Sequence, residues 1–212
     1  MKKLLHPLAL ALALCGAVVL VSHAAEKKDA STQKAKKAPP LPGAGTGGNT
    51  PHATTSAVIG PNRNEGSMIT VTYGRPHRVH PRKGGEPRKI WGGLVPWGKA
   101  DRLGADEATL LITQKPIQAG GTTIPAGAYT LYIVPSESGA SKLAFSKNIG
   151  KWGVPVDEKS DVARVDLKKS SLSEPVDQLT IKVENTPAGS MNGVLRIQWE
   201  ETEFSLPFTV QK

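Results

Sequence analysis

The chain has 212 residues, a formal net charge of +9 at pH 7 and a single cysteine. That length allows one domain or two small ones, and one cysteine excludes a disulfide framework. Lys2 and Lys3 leave with the leader described below, and the five lysines of residues 25–52 against Glu26 and Asp29 account for three more charges, so only about +4 remains for the rest. The high pI is thus partly a property of the N-terminal tail, and it argues for loose attraction to an acidic surface rather than for specific nucleic-acid binding.

Met1 to Lys3 form a positive start, residues 4–21 are an apolar run broken only by His6, Pro7 and Gly16, and Ser22 and Ala24 supply the small residues a signal peptidase requires. The sequence predicts a signal peptide over 1–24 and export to the periplasm or beyond. A retained N-terminal anchor is the alternative, because about 18 mostly apolar residues approach a bilayer span. Cys15 follows Leu14, where lipid attachment needs a small residue, so it does not read as a lipid anchor. Cleavage after Ala24 leaves a mature chain without cysteine or transmembrane segment, which excludes disulfides and thiol catalysis.

Residues 25–54 are Ala, Lys, Pro, Gly, Thr and Ser with almost no large apolar side chain. Such a segment buries too little surface to offset the entropy of ordering. It reads as a disordered linker whose lysines suit an acidic cell-surface polymer.

From residue 55 the pattern is that of strands. Ile69, Val71 and Tyr73 alternate with threonines, 109–113 is a short apolar run, and Tyr129, Leu131 and Ile133 alternate with Thr130, Tyr132 and Val134. Leu143 with Phe145, 162–167, 179–183, 195–199 and 204–210 continue the series. Gly120-Gly121, Pro125-Ala126-Gly127, Ser138-Gly139 and Asn192-Gly193 mark the corners. No window sustains a helical period. These elements predict one all-β domain over 55–212, a single antiparallel β-sandwich of eight to ten short strands, with jelly-roll and immunoglobulin-like topologies both open. Pro207 predicts an edge strand or a bulge.

The chemistry-bearing residues concentrate between Ile69 and Glu107. Asp106-Glu107, preceded by Asp101, is an acidic cluster that general acid–base work or a hard cation would use. Adjacent carboxylates on a strand point to opposite faces, however, which leaves one of them to pair with Arg75 or Arg102. His77 and His80 stand among Arg75, Arg78, Arg82, Lys83, Arg88 and Lys89, with Glu86 the lone acid. Two histidines without a third ligand make a poor zinc site, and the basic surroundings favour an anion or a solvated loop. Trp91 and Trp97 lie in a Gly/Pro loop, where they either plug the end of the sandwich or form a platform for a sugar ring. Trp199 reads as core. No phosphate-loop spacing and no nucleophile elbow occur.

Several segments together resemble a family: V-T-Y-G-R-P at 71–76, K-I-W-G-G-L-V-P-W-G at 89–98, R-L-G-A-D-E-A-T at 102–109, I-P-A-G-A-Y-T-L-Y at 124–132, W-G at 152–153 and D-V-A-R-V at 161–165. In this order they are similar to the bacterial exported family known as domain of unknown function 2911. The resemblance implies an exported β domain and brings no catalytic residue. Two departures stand out: Asp101 replaces the Trp that usually precedes Arg102, and 79–87 is longer than usual. The resemblance therefore favours Arg75, Trp91, Trp97, Arg102, Asp106 and Glu107 over His80.

The expected working surface comprises Arg75, His77, Trp91, Trp97, Arg102, Asp106 and Glu107, with no metal, cofactor or catalytic residue assigned. A noncatalytic binding module for a carbohydrate or a small anionic or polar ligand is the first expectation. A hydrolase using Asp106 or Glu107 with His77 is the alternative, and an envelope structural protein is the third. An Arg102 tie to the Asp106 or Glu107 carboxylate is expected beneath the Trp loop.

Overall fold

Ten strands build the computed structural model, which describes residues 50–80 and 84–212; in some, side chains alternate between buried and exposed, whereas residues 129–133 are buried on both faces. The segments expected to be a leader and a linker, up to residue 49, and the basic run 81–83, with Arg82 and Lys83, lie outside the described residues. The strands are β1 (His52–Ile59), β2 (Ser67–Gly74), β3 (Leu110–Thr113), β4 (Ile117–Ala119) and β5 (Thr122–Ile124). They continue as β6 (Gly127–Val134), β7 (Lys142–Ser146), β8 (Asp161–Asp166), β9 (Lys168–Asn185) and β10 (Asn192–Val210). Among the described residues the one helical element is a three-residue 3-10 turn, Glu158–Ser160.

Six strands pair antiparallel in the order β1-β2-β3-β6-β7-β8, and four pair as β5-β4-β10-β9. Ile69, Val71, Tyr73, Leu111, Tyr129, Leu131 and Phe145 from the first sheet meet Leu179, Ile181, Ile197, Trp199 and Phe204 from the second in one apolar core. The chain is thus an antiparallel β-sandwich, as the period-two alternation predicts.

Two expectations change. β1 begins at His52, so 52–54 belong to the domain and not to the linker. Nor are all strands short, since β9 has 18 residues and β10 has 19. β10 remains paired over that length by accommodating register shifts on both sides of Glu200, whose φ of 57° lies in the left-handed region. Pro207 lies in an interior strand, in the gap between Ser205, the last residue of β10 paired with β9, and Thr209, the first paired with β4. The missing donor falls where no ladder needs it.

β9 is an edge strand, and an exposed row of N–H and C=O groups on such an edge invites further pairing. Here the end of β2 and the residues after it close that edge. The Tyr73 hydroxyl donates to the Ile181 carbonyl at 3.2 Å and accepts from the Ile181 N–H at 2.9 Å. Arg75 Nε donates to the Leu179 carbonyl at 3.1 Å, the Leu179 N–H donates to the Pro76 carbonyl at 3.1 Å, and the Arg78 N–H reaches the Asp177 carbonyl at 2.8 Å. One strand of the first sheet therefore caps the free edge of the second.

Candidate functional site

That capping decides the role of two predicted site residues. Arg75 adds a bond from Nη2 to the Thr180 hydroxyl at 3.1 Å, so its donors serve β9. His77 lies at the same seam. Its Nδ1 is 2.6 Å from Asp177 Oδ2 and its Nε2 is 2.7 Å from the Gln178 side-chain amide, which engages both ring nitrogens.

Burial raises the Asp177 carboxyl, but hydrogen bonds from His77 and from the Val79 and Arg78 main chain outweigh it and hold the group below the usual carboxylate range. A carboxyl with a depressed folded pKa adds stability above its unfolded pKa and loses it as pH falls through the folded one. Urea midpoints measured from about pH 6 down to about pH 3 should therefore fall for the parent and fall less for Asp177→Asn. Parallel curves would dissolve the link.

The Trp loop is a tight, self-bonded turn. Val95 N–H reaches the Ile90 carbonyl at 2.9 Å and Gly92 N–H the Val95 carbonyl at 2.9 Å. This turn drives Ile90, Trp91 and Val95 into the core. The Trp91 indole N–H donates to the Trp199 carbonyl at 3.2 Å, and its ring meets Phe204 edge-on at 4.9 Å between centroids. Trp91 is a plug and offers no surface for a ligand, the plainer of the two readings its sequence allows. Trp97 lies over Gly92, where a Cβ would fall 2.3 Å from the indole nitrogen, and Lys169 Nζ stands 5.3 Å from its ring centroid. Two guanidiniums of the basic loop turn inward as well. Arg88 donates to the carbonyls of Arg78 and His77, and Arg78 faces Glu200 at 3.9 Å.

Residues 101–108 form a ridge against the end of β2. The approach is close: a Cβ on Gly74 would fall 2.1 Å from the Ala105 carbonyl oxygen. Leu103 and Asp106 both take left-handed φ angles, 55° and 62°, which Asp accommodates better than most residues. The Arg102 guanidinium bonds the main-chain carbonyl of Asp106 at 2.7 Å and that of Trp152 at 3.3 Å. The expected tie to a carboxylate is therefore replaced by a tie to the backbone. Neither acid pairs with Arg75 or Arg102; Glu107 instead meets His52 Nε2 at 3.0 Å.

This geometry has a testable consequence. Arg102→Met, which strands a main-chain carbonyl, should cost about 1–3 kcal/mol of stability, and Asp106→Asn, whose side chain takes no part in that bond, should cost less. Equal losses in the two chemical-denaturation midpoints would restore the carboxylate tie.

The ridge separates two clefts. The first, about 510 Å3, is lined by His77, His80, Arg88, Asp101, Arg102 and Asp106 over a floor that includes Trp199. Burial pushes the Asp101 carboxyl up, against the Leu103 N–H and Arg102, which pull it down. Asp106 Oδ2 is buried with no hydrogen-bond partner among the described residues. The second cleft, about 500 Å3, has Trp152, Tyr73, Ala108 and Leu110 with His52, Glu107 and Lys151. The adjacent carboxylates therefore open to different spaces, but not by the strand alternation expected, because they stand in a loop with Asp106 in the left-handed region. Of the seven predicted site residues, the first cleft gathers His77, Arg102 and Asp106, the second takes Glu107, and Arg75, Trp91 and Trp97 line neither. Among the described residues no three of His, Cys, Asp or Glu converge as a metal-ligand set.

Sequence reasoning passed over Trp152, Asp177 and Glu200. The W-G pair at 152–153 among the family-like segments was the available signal for Trp152, whereas Asp177 and Glu200 stand in polar runs without any pattern.

Residues 51–208 match the family described as "Protein of unknown function (DUF2911)". No curated protein and no solved structure gives a significant match. With nearly all of its described residues inside that match, the chain belongs to the DUF2911 family.

Proposed function

We propose that this domain is an exported, noncatalytic binding module that holds a carbohydrate or other small polar ligand in the first cleft. The observation that carries the reading is a cleft in which the carboxylates Asp101 and Asp106 stand beside the guanidiniums of Arg88 and Arg102. Hydroxyl groups both donate and accept, and they match a lining in which carboxylates stand beside guanidiniums. A bare anion would meet two carboxylates there. Its volume also fits a small-ligand site.

The hydrolase alternative has less support. Both ring nitrogens of His77 are engaged, and Glu107 faces the other cleft. Export rests on the leader, and attraction to an acidic cell-surface polymer rests on the lysines of the linker.

A thermal-shift panel of neutral mono- and oligosaccharides and polyols tests the reading. A ligand present at about 100 times its dissociation constant adds about 2.7 kcal/mol, and Asp106→Asn should abolish that gain while the ligand stays chemically intact. Turnover of the ligand lost in Asp106→Asn would establish the hydrolase instead. A panel without any stabilisation would reject the module.

A further inference from the structure

We infer that the second cleft is a separate stacking site for a hexopyranose ring, with the Trp152 indole as its platform. Trp91 and Trp199 are buried, at 4% and 3% exposure, and Trp97 is half-covered, whereas Trp152 is 56% exposed. An exposed indole on a loose loop would mean little. This one is held at three points. The Ala108 N–H bonds the Lys151 carbonyl at 3.2 Å, Arg102 bonds the Trp152 carbonyl at 3.3 Å, and Gly153 sits so close to the ridge that a Cβ would lie 2.9 Å from that of Ala108. Farther along the loop, Asp157 accepts from the Asn148 amide at 3.0 Å and from the Ser160 hydroxyl at 2.9 Å.

The indole is also backed. The Arg102 guanidinium stands 5.7 Å from its ring centroid, and Arg102 lines the first cleft but not the second. Trp152 lines a concavity of about 500 Å3, within the range of small-ligand sites. A main chain fixed before binding limits the freedom the indole it carries can lose when a ligand packs on it.

The rim selects the ligand class. Ala108 and Leu110 continue the apolar floor, while Glu107, His52 and Lys151 stand at the side. His52 engages Oε2 of Glu107 and leaves Oε1 as an acceptor, and the Lys151 ammonium is a donor. A hexopyranose presents one C–H-rich face to an aromatic ring and a girdle of hydroxyls to such groups. A wholly apolar ligand would leave the charged rim unmatched.

The probes are cellotetraose, maltotetraose, mannotetraose and chitotetraose, titrated to millimolar concentration. The Trp152 indole N–H resonance, assigned by its loss in Trp152→Phe, reports occupancy, and calorimetry gives the affinity. At least one probe should shift that resonance saturably. Trp152→Ala should weaken its binding about tenfold or more, the scale of a lost aromatic contact, and Trp152→Phe should retain most of it. No movement with any of the probes overturns the inference, as does affinity unchanged in Trp152→Ala. Asp106→Asn separates the two clefts: binding lost there and kept in Trp152→Ala belongs to the first cleft and refutes the second, and the reverse pattern supports the second independently of the first.

Discussion

Trp91→Ala should lower the unfolding free energy by about 3–5 kcal/mol, the range for truncating a large buried aromatic side chain. For a domain of this size the melting temperature should then fall by an amount on the order of 10 °C. The indole is 4% exposed, packs edge-on against Phe204 and Trp199, and uses its N–H on the Trp199 carbonyl. Truncation therefore opens a void between the sheets and frees a buried acceptor together. Because the surrounding turn is fixed by its own main-chain bonds, it cannot collapse into the space. The void lies under the first cleft, whose floor includes Trp199, so loosening there should weaken any ligand bound in that cleft as well. Trp97→Ala serves as the comparison, since its ring rests outside on Gly92. If Trp91→Ala unfolds within about 1 kcal/mol of the parent, the ring is not the plug described.

Tyr73→Phe should cost about 2–4 kcal/mol, although it removes a single oxygen and leaves no cavity of note. The Tyr73 hydroxyl serves both edge-facing groups of Ile181, and its loss strands a buried N–H and a buried C=O, each worth about 1–3 kcal/mol when left unmade. Ile181 is 1% exposed, so water does not readily replace the hydroxyl. Amide exchange locates the effect: Ile181 should lose protection more than Ile197, its partner across the β9–β10 ladder. Uniform loss of protection at both positions would mean that Tyr73 acts through packing and not through the edge.

Arg75 and His77 were legible as unusual residues after a strand, but not in their role. Guanidinium and imidazole beside prolines look like ligand contacts until β9 is placed alongside, with partners 100 and 104 residues away in the chain. Trp91 and Trp97 illustrate the same limit, since a Gly/Pro loop with two indoles is compatible with a plug and with a platform. The direction in which the turn folds chooses between them.

The sequence by itself determined the fold class and its core. Ile69, Val71 and Tyr73 recur with period two, and a slip of one residue would turn that set out of the core, while Tyr129, Leu131 and Ile133 recur in the same way on a strand whose other face is buried as well. Only tertiary structure decided the rest of the sheets. β1 reads HATTSAVI, and before the buried Ile59 its inward positions are the small, half-buried Ala53, Thr55 and Ala57, too weakly apolar to announce a strand. The first half of β9, KKSSLSEPVDQ, is strand because β10 lies beside it, with Lys168–Ser171 opposite Thr202–Ser205. The site was decided in the same way. Asp106 and Glu107 are neighbours in sequence, yet two left-handed residues turn the ridge so that they face separate clefts, and the indole beside one of them comes from a loop about 45 residues farther on. Local pattern fixes which face of a strand is buried, because that follows from backbone period alone. Which distant side chains share a cleft follows from how the loops cross the ends of the sheets, and no local period encodes that.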